Sequence, residues 1–191
     1  MMRLLVLVSV ACLSAAGCGP QAGSGCGGCT ATAPAIGAPL APTSPAVKVD
    51  PDKAKALYEK GLSVQRSGDM DGAIALFYQA IRADPAYAPA LNHFSWLRAA
   101  TPDAKYRDAA EAVKFGEAAC KAAVESKPPG IFGANCLDTL AVAYARAGRF
   151  DDAVRTARRA ADMARKVGYP RAARSFEQRM KLFENKQPYQ D

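Results

Sequence analysis

The chain has 191 residues, half of them apolar, which suits one domain or at most two with a real core. Its formal net charge of +7 leaves anionic partners open. A single His, His93, and the lack of a Gly-rich loop after a strand argue against triad hydrolysis and phosphate-loop chemistry.

The first residues, MMRLLVLVSVACLSAAGC, set one Arg ahead of a short apolar run that ends in small residues, the pattern of an export signal over residues 1–17. The run is too short to span a bilayer as a mature helix. Ala15-Ala16-Gly17-Cys18 resembles a bacterial lipobox, with Ala15 where Leu is usual. The resemblance implies lipidation of Cys18, which would become the first mature residue of an exported lipoprotein anchored in the bacterial cell envelope. Several acyl chains hold a membrane stably, since each buried methylene contributes ~0.8 kcal/mol. Ordinary cleavage before Gly17, giving a soluble periplasmic or secreted protein, is the alternative.

Residues 18–49 are rich in Gly, Ala, Pro, Ser and Thr and nearly free of charge. They cannot bury enough surface to offset their ordering entropy, so they read as a flexible, disordered linker that tethers the folded part. Within it lies Cys26-Gly27-Gly28-Cys29. Two thiols at this spacing suit a redox or metal pair, but no second Cys pair or nearby His completes a site. A passive or structural pair is the preferred reading, with a redox or metal role as the alternative.

From residue 50 to 186 the pattern is helical and it repeats. Setting Gly68 against Gly148 aligns Asp71 with Asp151, Ala73 with Ala153, Ile74 with Val154 and Ala80 with Ala160; upstream, Leu57 meets Leu137 and Gly61 meets Ala141. Small residues let two antiparallel helices approach, while Leu57, Val64 and Phe77 fill the seam and Pro85 ends the second helix. These offsets resemble the tetratricopeptide repeat, a helix-turn-helix unit of 34 residues. The resemblance implies an all-α, right-handed solenoid of about three units, over 54–87, 88–126 and 134–167. The middle unit carries a five-residue insertion after Thr101-Pro102-Asp103, because Pro102 to Ala112 spans ten residues where Gly68 to Ala73 spans five. Phe176, Met180 and Phe183 then mark a capping helix over about 170–185 that covers the last apolar seam.

Catalytic and metal chemistry are not expected. His93, beside Phe94 and Trp96, reads as a partly buried structural residue. The aspartates Asp69, Asp71, Asp151 and Asp152 sit where helix starts favour acids. From Arg149 to Lys181 there are ten Lys and Arg against four Asp and Glu, read either as a solvated face or as weak anion attraction. Aromatics are not interleaved with these charges, and nucleic acid is not an expected partner.

In the repeat family the first helix of each unit lines a concave groove. The resemblance places Tyr58, Leu62 and Arg66, then Asn92 and Trp96, then Asp138, Val142 and Arg146 on that face. Tyr58 and Leu62 replace the Lys and Asn of members that clamp a carboxylate terminus, so that activity is not implied. Tyr58 and Trp96 are the expected anchors, with packing of Trp96 beneath the 101–106 insertion as the alternative. Adjacent helices of a solenoid would also bring Cys120 near Cys136, either as a disulfide or as two buried thiols. The expected function is a non-enzymatic scaffold that binds a peptide or protein segment and needs no cofactor. A structural envelope protein without a defined ligand is the alternative.

Overall fold

The computed structural model describes residues 48–125 and 130–190. Cys18, Cys26 and Cys29, with the export signal and all but the last two residues of the tether, lie outside the described residues. The described residues hold α1 (Pro51–Arg66), α2 (Met70–Ala83), α3 (Ala88–Ala100), α4 (Ala109–Glu125), α5 (Ile131–Arg146), α6 (Phe150–Lys166) and α7 (Pro170–Glu184), plus a short 3-10 turn at Ala104–Tyr106. Each helix packs against the next, and α5 also meets α3 and α7, so the elements stack as an all-α solenoid.

Local chemistry explains where the helices start and stop. The Asp50 carboxylate accepts the Lys53 amide at 3.0 Å with Pro51 in the first turn, and Asp69 accepts the Gly72 amide at 2.8 Å. Such caps satisfy amides that the helix itself leaves unpaired. The turns α1–α2, α5–α6 and α6–α7 each contain a left-handed glycine, Gly68 at φ 90°, Gly148 at 76° and Gly168 at 85°. A residue with a side chain would strain there by roughly 1–2 kcal/mol.

The α3–α4 connection has no such glycine and takes another route. Thr101 leaves α3 with ψ at 140°, and the insertion folds over the helix end. Arg98 holds it at both ends: its carbonyl accepts the Asp108 amide at 2.9 Å and its guanidinium donates to the Tyr106 carbonyl at 2.9 Å. The same guanidinium pairs with Glu111 of α4 at 2.8 Å.

The core is built from small residues and a few rings. Ala73, Ala80, Ala99, Ala100, Ala112, Ala141, Ala153 and Ala157 are fully buried, while Phe77, Phe94 and Phe183 are the large side chains shut away completely. Phe94 lies 5.0 Å from Phe115 and 4.6 Å from Tyr78, centroid to centroid, in tilted or edge-on pairs that suit ring quadrupoles. On α7, Phe176 and Phe183 are buried and Met180 is half-buried, so this helix closes the apolar end of the α5–α6 pair.

The α1–α2 approach leaves no room at Gly61. A Cβ there would lie 2.6 Å from Cε1 of the Phe77 ring. Alanine would gain about 1 kcal/mol of helix propensity, but overpacking against a rigid ring costs about 1–3 kcal/mol. Gly61→Ala is therefore expected to lower the urea midpoint without changing the slope; an unchanged or raised midpoint would show that the helices can part freely.

Candidate functional site

The face carried by α1, α3 and α5 divides into an open half and a covered half. On the open half, Leu62 is half-buried and Arg66 is exposed. Tyr58 is not a free anchor. Its ring packs against Phe77 at 5.9 Å, Tyr87 at 5.9 Å and His93 at 6.0 Å, so the first two helix pairs use it as part of their junction. His93 donates or accepts across 2.7 Å to the Gln65 carboxamide and stands edge-on to Phe77 at 4.9 Å. Asn92 keeps a buried carboxamide oxygen that has no hydrogen-bond partner among the described residues. A recess of about 300 Å³ opens beside this junction, lined by Gln65, Met70, His93, Trp96, Leu97 and the Thr101-Pro102 corner.

The covered half corrects the expectation of an exposed groove. Asp138 and Val142 are buried, at 4% and 0% exposure. Arg179 of α7 grips the Asp138 carboxylate with two donors, at 2.9 and 2.5 Å, and Val142 belongs to the cluster closed by Phe183. Burial pushes the Asp138 carboxyl up from its ordinary range and the Arg179 bonds pull against that shift. Paired in this way, the Asp138 carboxylate is not available to a partner. Arg146 is engaged as well, donating to the Ala99 carbonyl at 2.7 Å and to the Tyr189 carbonyl at 2.9 Å.

Tyr189 reaches that position because the chain reverses after α7. Lys186 adopts a left-handed φ of 56°, and the Gln187 amide returns to the Leu182 carbonyl at 2.9 Å. The Tyr189 ring then lies 5.6 Å from Trp96 and 5.4 Å from the Arg179 guanidinium. Trp96 thus has two neighbourhoods: it lines the recess beside the insertion corner, and it makes a tilted ring contact with Tyr189 of the segment that follows α7. Arg179 was missed by the sequence reading, although it falls between Phe176 and Phe183 on the inward stripe of α7, where a charge calls for a buried partner. Tyr189 follows the last helix in a stretch without periodicity and gave no comparable signal.

Cys120 and Cys136 are both free thiols, Cys136 fully buried and Cys120 partly so. Adjacent helices do bring them together, but no bond joins them. Burial pushes the Cys120 thiol up to about 11 and that of Cys136 up to about 12, so neither supplies a thiolate near neutral pH. On α6 much of the positive charge is met locally: Arg149 and Arg155 pair with Asp152, and Arg165 with Asp162 and Glu177. No group of three His, Cys, Asp or Glu side chains gathers for a metal among the described residues, and no described helix is long and apolar enough to cross a membrane.

His93 gives the junction a pH dependence. Burial lowers its pKa from 6.5, so the unfolded chain takes up the proton first as pH falls. Its contribution is complete above pH ~6.5 and declines below it. The melting temperature should therefore drop between pH 7.5 and 5, and His93→Gln should flatten that drop; equal slopes in both proteins would exclude a buried neutral imidazole.

The tetratricopeptide-repeat profile matches residues 54–87. The N-terminal domain of stress-induced protein-1 (STI-1) from C. elegans is a similar solved structure, with a TM-score of 0.51 and 20% identity over 70% of this chain and 99% of that one. At that identity the likeness concerns the fold. No curated protein matches the chain. Residues 54–87 thus match the tetratricopeptide repeat, and the helix pairs that stack upon them share the fold of that solved structure.

Proposed function

We propose that this protein is a non-enzymatic scaffold that binds a segment of another protein on the α1–α3 side of its groove while Cys18 anchors it in a bacterial envelope membrane. Tetratricopeptide repeats generally mediate protein–protein interaction and generally belong to non-enzymatic proteins. The observation that carries the reading is the recess of about 300 Å³ beside Trp96, mixed in character and lined also by Gln65, Met70, His93 and the Thr101-Pro102 corner. An aromatic wall and a Gln–His pair suit an apolar side chain flanked by backbone groups. The anchor rests on the Ala15-Ala16-Gly17-Cys18 pattern, and the Gly- and Pro-rich stretch behind it supplies reach.

Two measurements test this reading. Trp96→Ala and Leu62→Ala should lose partner capture from envelope extract by roughly ten-fold, the effect of about 1.4 kcal/mol, while unfolding stays cooperative. Because Trp96 is only half-buried, its truncation should cost less than the about 3–5 kcal/mol of a fully buried ring. Full capture by both variants would remove the groove from the function. Mass spectrometry of the mature N-terminus should find acyl chains on Cys18, and an unmodified chain beginning at Gly17 would remove the anchor.

A further inference from the structure

We propose that the segment 185–190 is a resident ligand of the groove, and that the partner is an extended protein segment carrying a Pro-aromatic pair that takes its place. This deepens the scaffold reading and rests on it, because it names the chemistry that the groove selects. The sequence after α7 is Asn185-Lys186-Gln187-Pro188-Tyr189-Gln190. Pro188 favours an extended backbone, and Tyr189 inserts where Trp96, Arg179 and the α5 side chain of Arg146 converge.

The contacts have the form of peptide recognition. One ring makes a tilted contact with an indole and lies 5.4 Å from a guanidinium, and one backbone carbonyl accepts from an arginine. That guanidinium is held in place by Asp138, and Arg146 is held by the Ala99 carbonyl, so both donors are set independently of the segment. Preset groups are what a binding site needs. The segment itself is lightly held: Gln187, Pro188 and Gln190 are exposed, and the chain turns through a left-handed non-glycine residue at Lys186 to reach the site. A structural cap would be expected to bury more of itself. Phe176 and Phe183 of α7 already fulfil that role.

The competition is intramolecular. A short tether presents its segment at an effective concentration on the order of mM, so an outside segment with the same chemistry must compete with it. Residence of the tail reports the groove's preference while reducing its apparent affinity.

Trp96 is the sole tryptophan in the chain and therefore reports on the site. Three proteins are compared: the full chain, a chain ending at Lys186, and full-length Tyr189→Ala. The two variants should keep their helical circular dichroism but show red-shifted Trp96 emission and stronger acrylamide quenching. A synthetic peptide, Glu-Asn-Lys-Gln-Pro-Tyr-Gln-Asp, should reverse both changes in the shortened chain and bind the full chain roughly ten-fold or more weakly. The same peptide with Ala for Tyr should not bind. A folded shortened chain that takes up no peptide at ~1 mM would overturn the proposal, since the tethered segment acts in that range. So would unfolding of both variants, which would make Tyr189 part of the core, or a concentration-dependent dimer formed by segment exchange, which would make a second copy the occupant. Failure here leaves the open α1–α3 side untouched, because that side is read from partner capture by Leu62→Ala, outside the Trp96–Tyr189 contact.

Discussion

Close approach of helices is the constraint on which the rest of the structure depends. Where Ala73, Ala112, Ala141, Ala153 and Gly61 form the contacts, helix axes come near enough for one ring, such as Phe77, to fill the seam between two helices. The alternative, a core of large aliphatic side chains, would hold the helices apart and lose the register between successive pairs. A stack of pairs still leaves its last apolar face bare, and α7 closes it with Phe176 and Phe183. That closure has a further effect. By bringing Arg179 onto Asp138, the capping helix removes part of the groove that the same stack creates.

The repeat pattern made much of this legible. Spacing from Gly68 and Gly148 places two turns correctly because each needs a left-handed residue, and both glycines adopt that conformation. The capping helix expected over about 170–185 is observed at Pro170–Glu184, marked by aromatic residues at helical spacing and by the Pro after Gly168. Even the irregular α3–α4 link was visible as missing glycine and extra residues, although the Arg98 contacts that shape it were not.

Accessibility was not legible. Register within a repeat says which way a side chain points, and Arg146 does reach the Ala99 carbonyl of α3. It cannot say what a later segment lays over that side chain. Tyr58 illustrates the same gap from the other direction, since its position suggested a free ring and Tyr87 and His93 enclose it. Cys120 and Cys136, expected either as a disulfide or as two buried thiols, are neighbours through helix adjacency and stand as thiols. Each shortfall concerns residues far apart in the chain, where periodicity carries no information.

These observations give the groove an internal asymmetry with physical content. Toward α1 it presents half-buried Leu62, exposed Arg66 and the Gln65–His93 pair; toward α5 its donors are committed to the chain's own carboxylate and carbonyls. Trp96 stands at the boundary, one side toward the recess and one toward Tyr189. A ligand that enters from the α1 side meets Trp96 before it meets the tail. In the proposed binding mode, any gain from extending further must exceed the loss of the Tyr189 contacts, so competition at one indole ring would set the length of the bound segment.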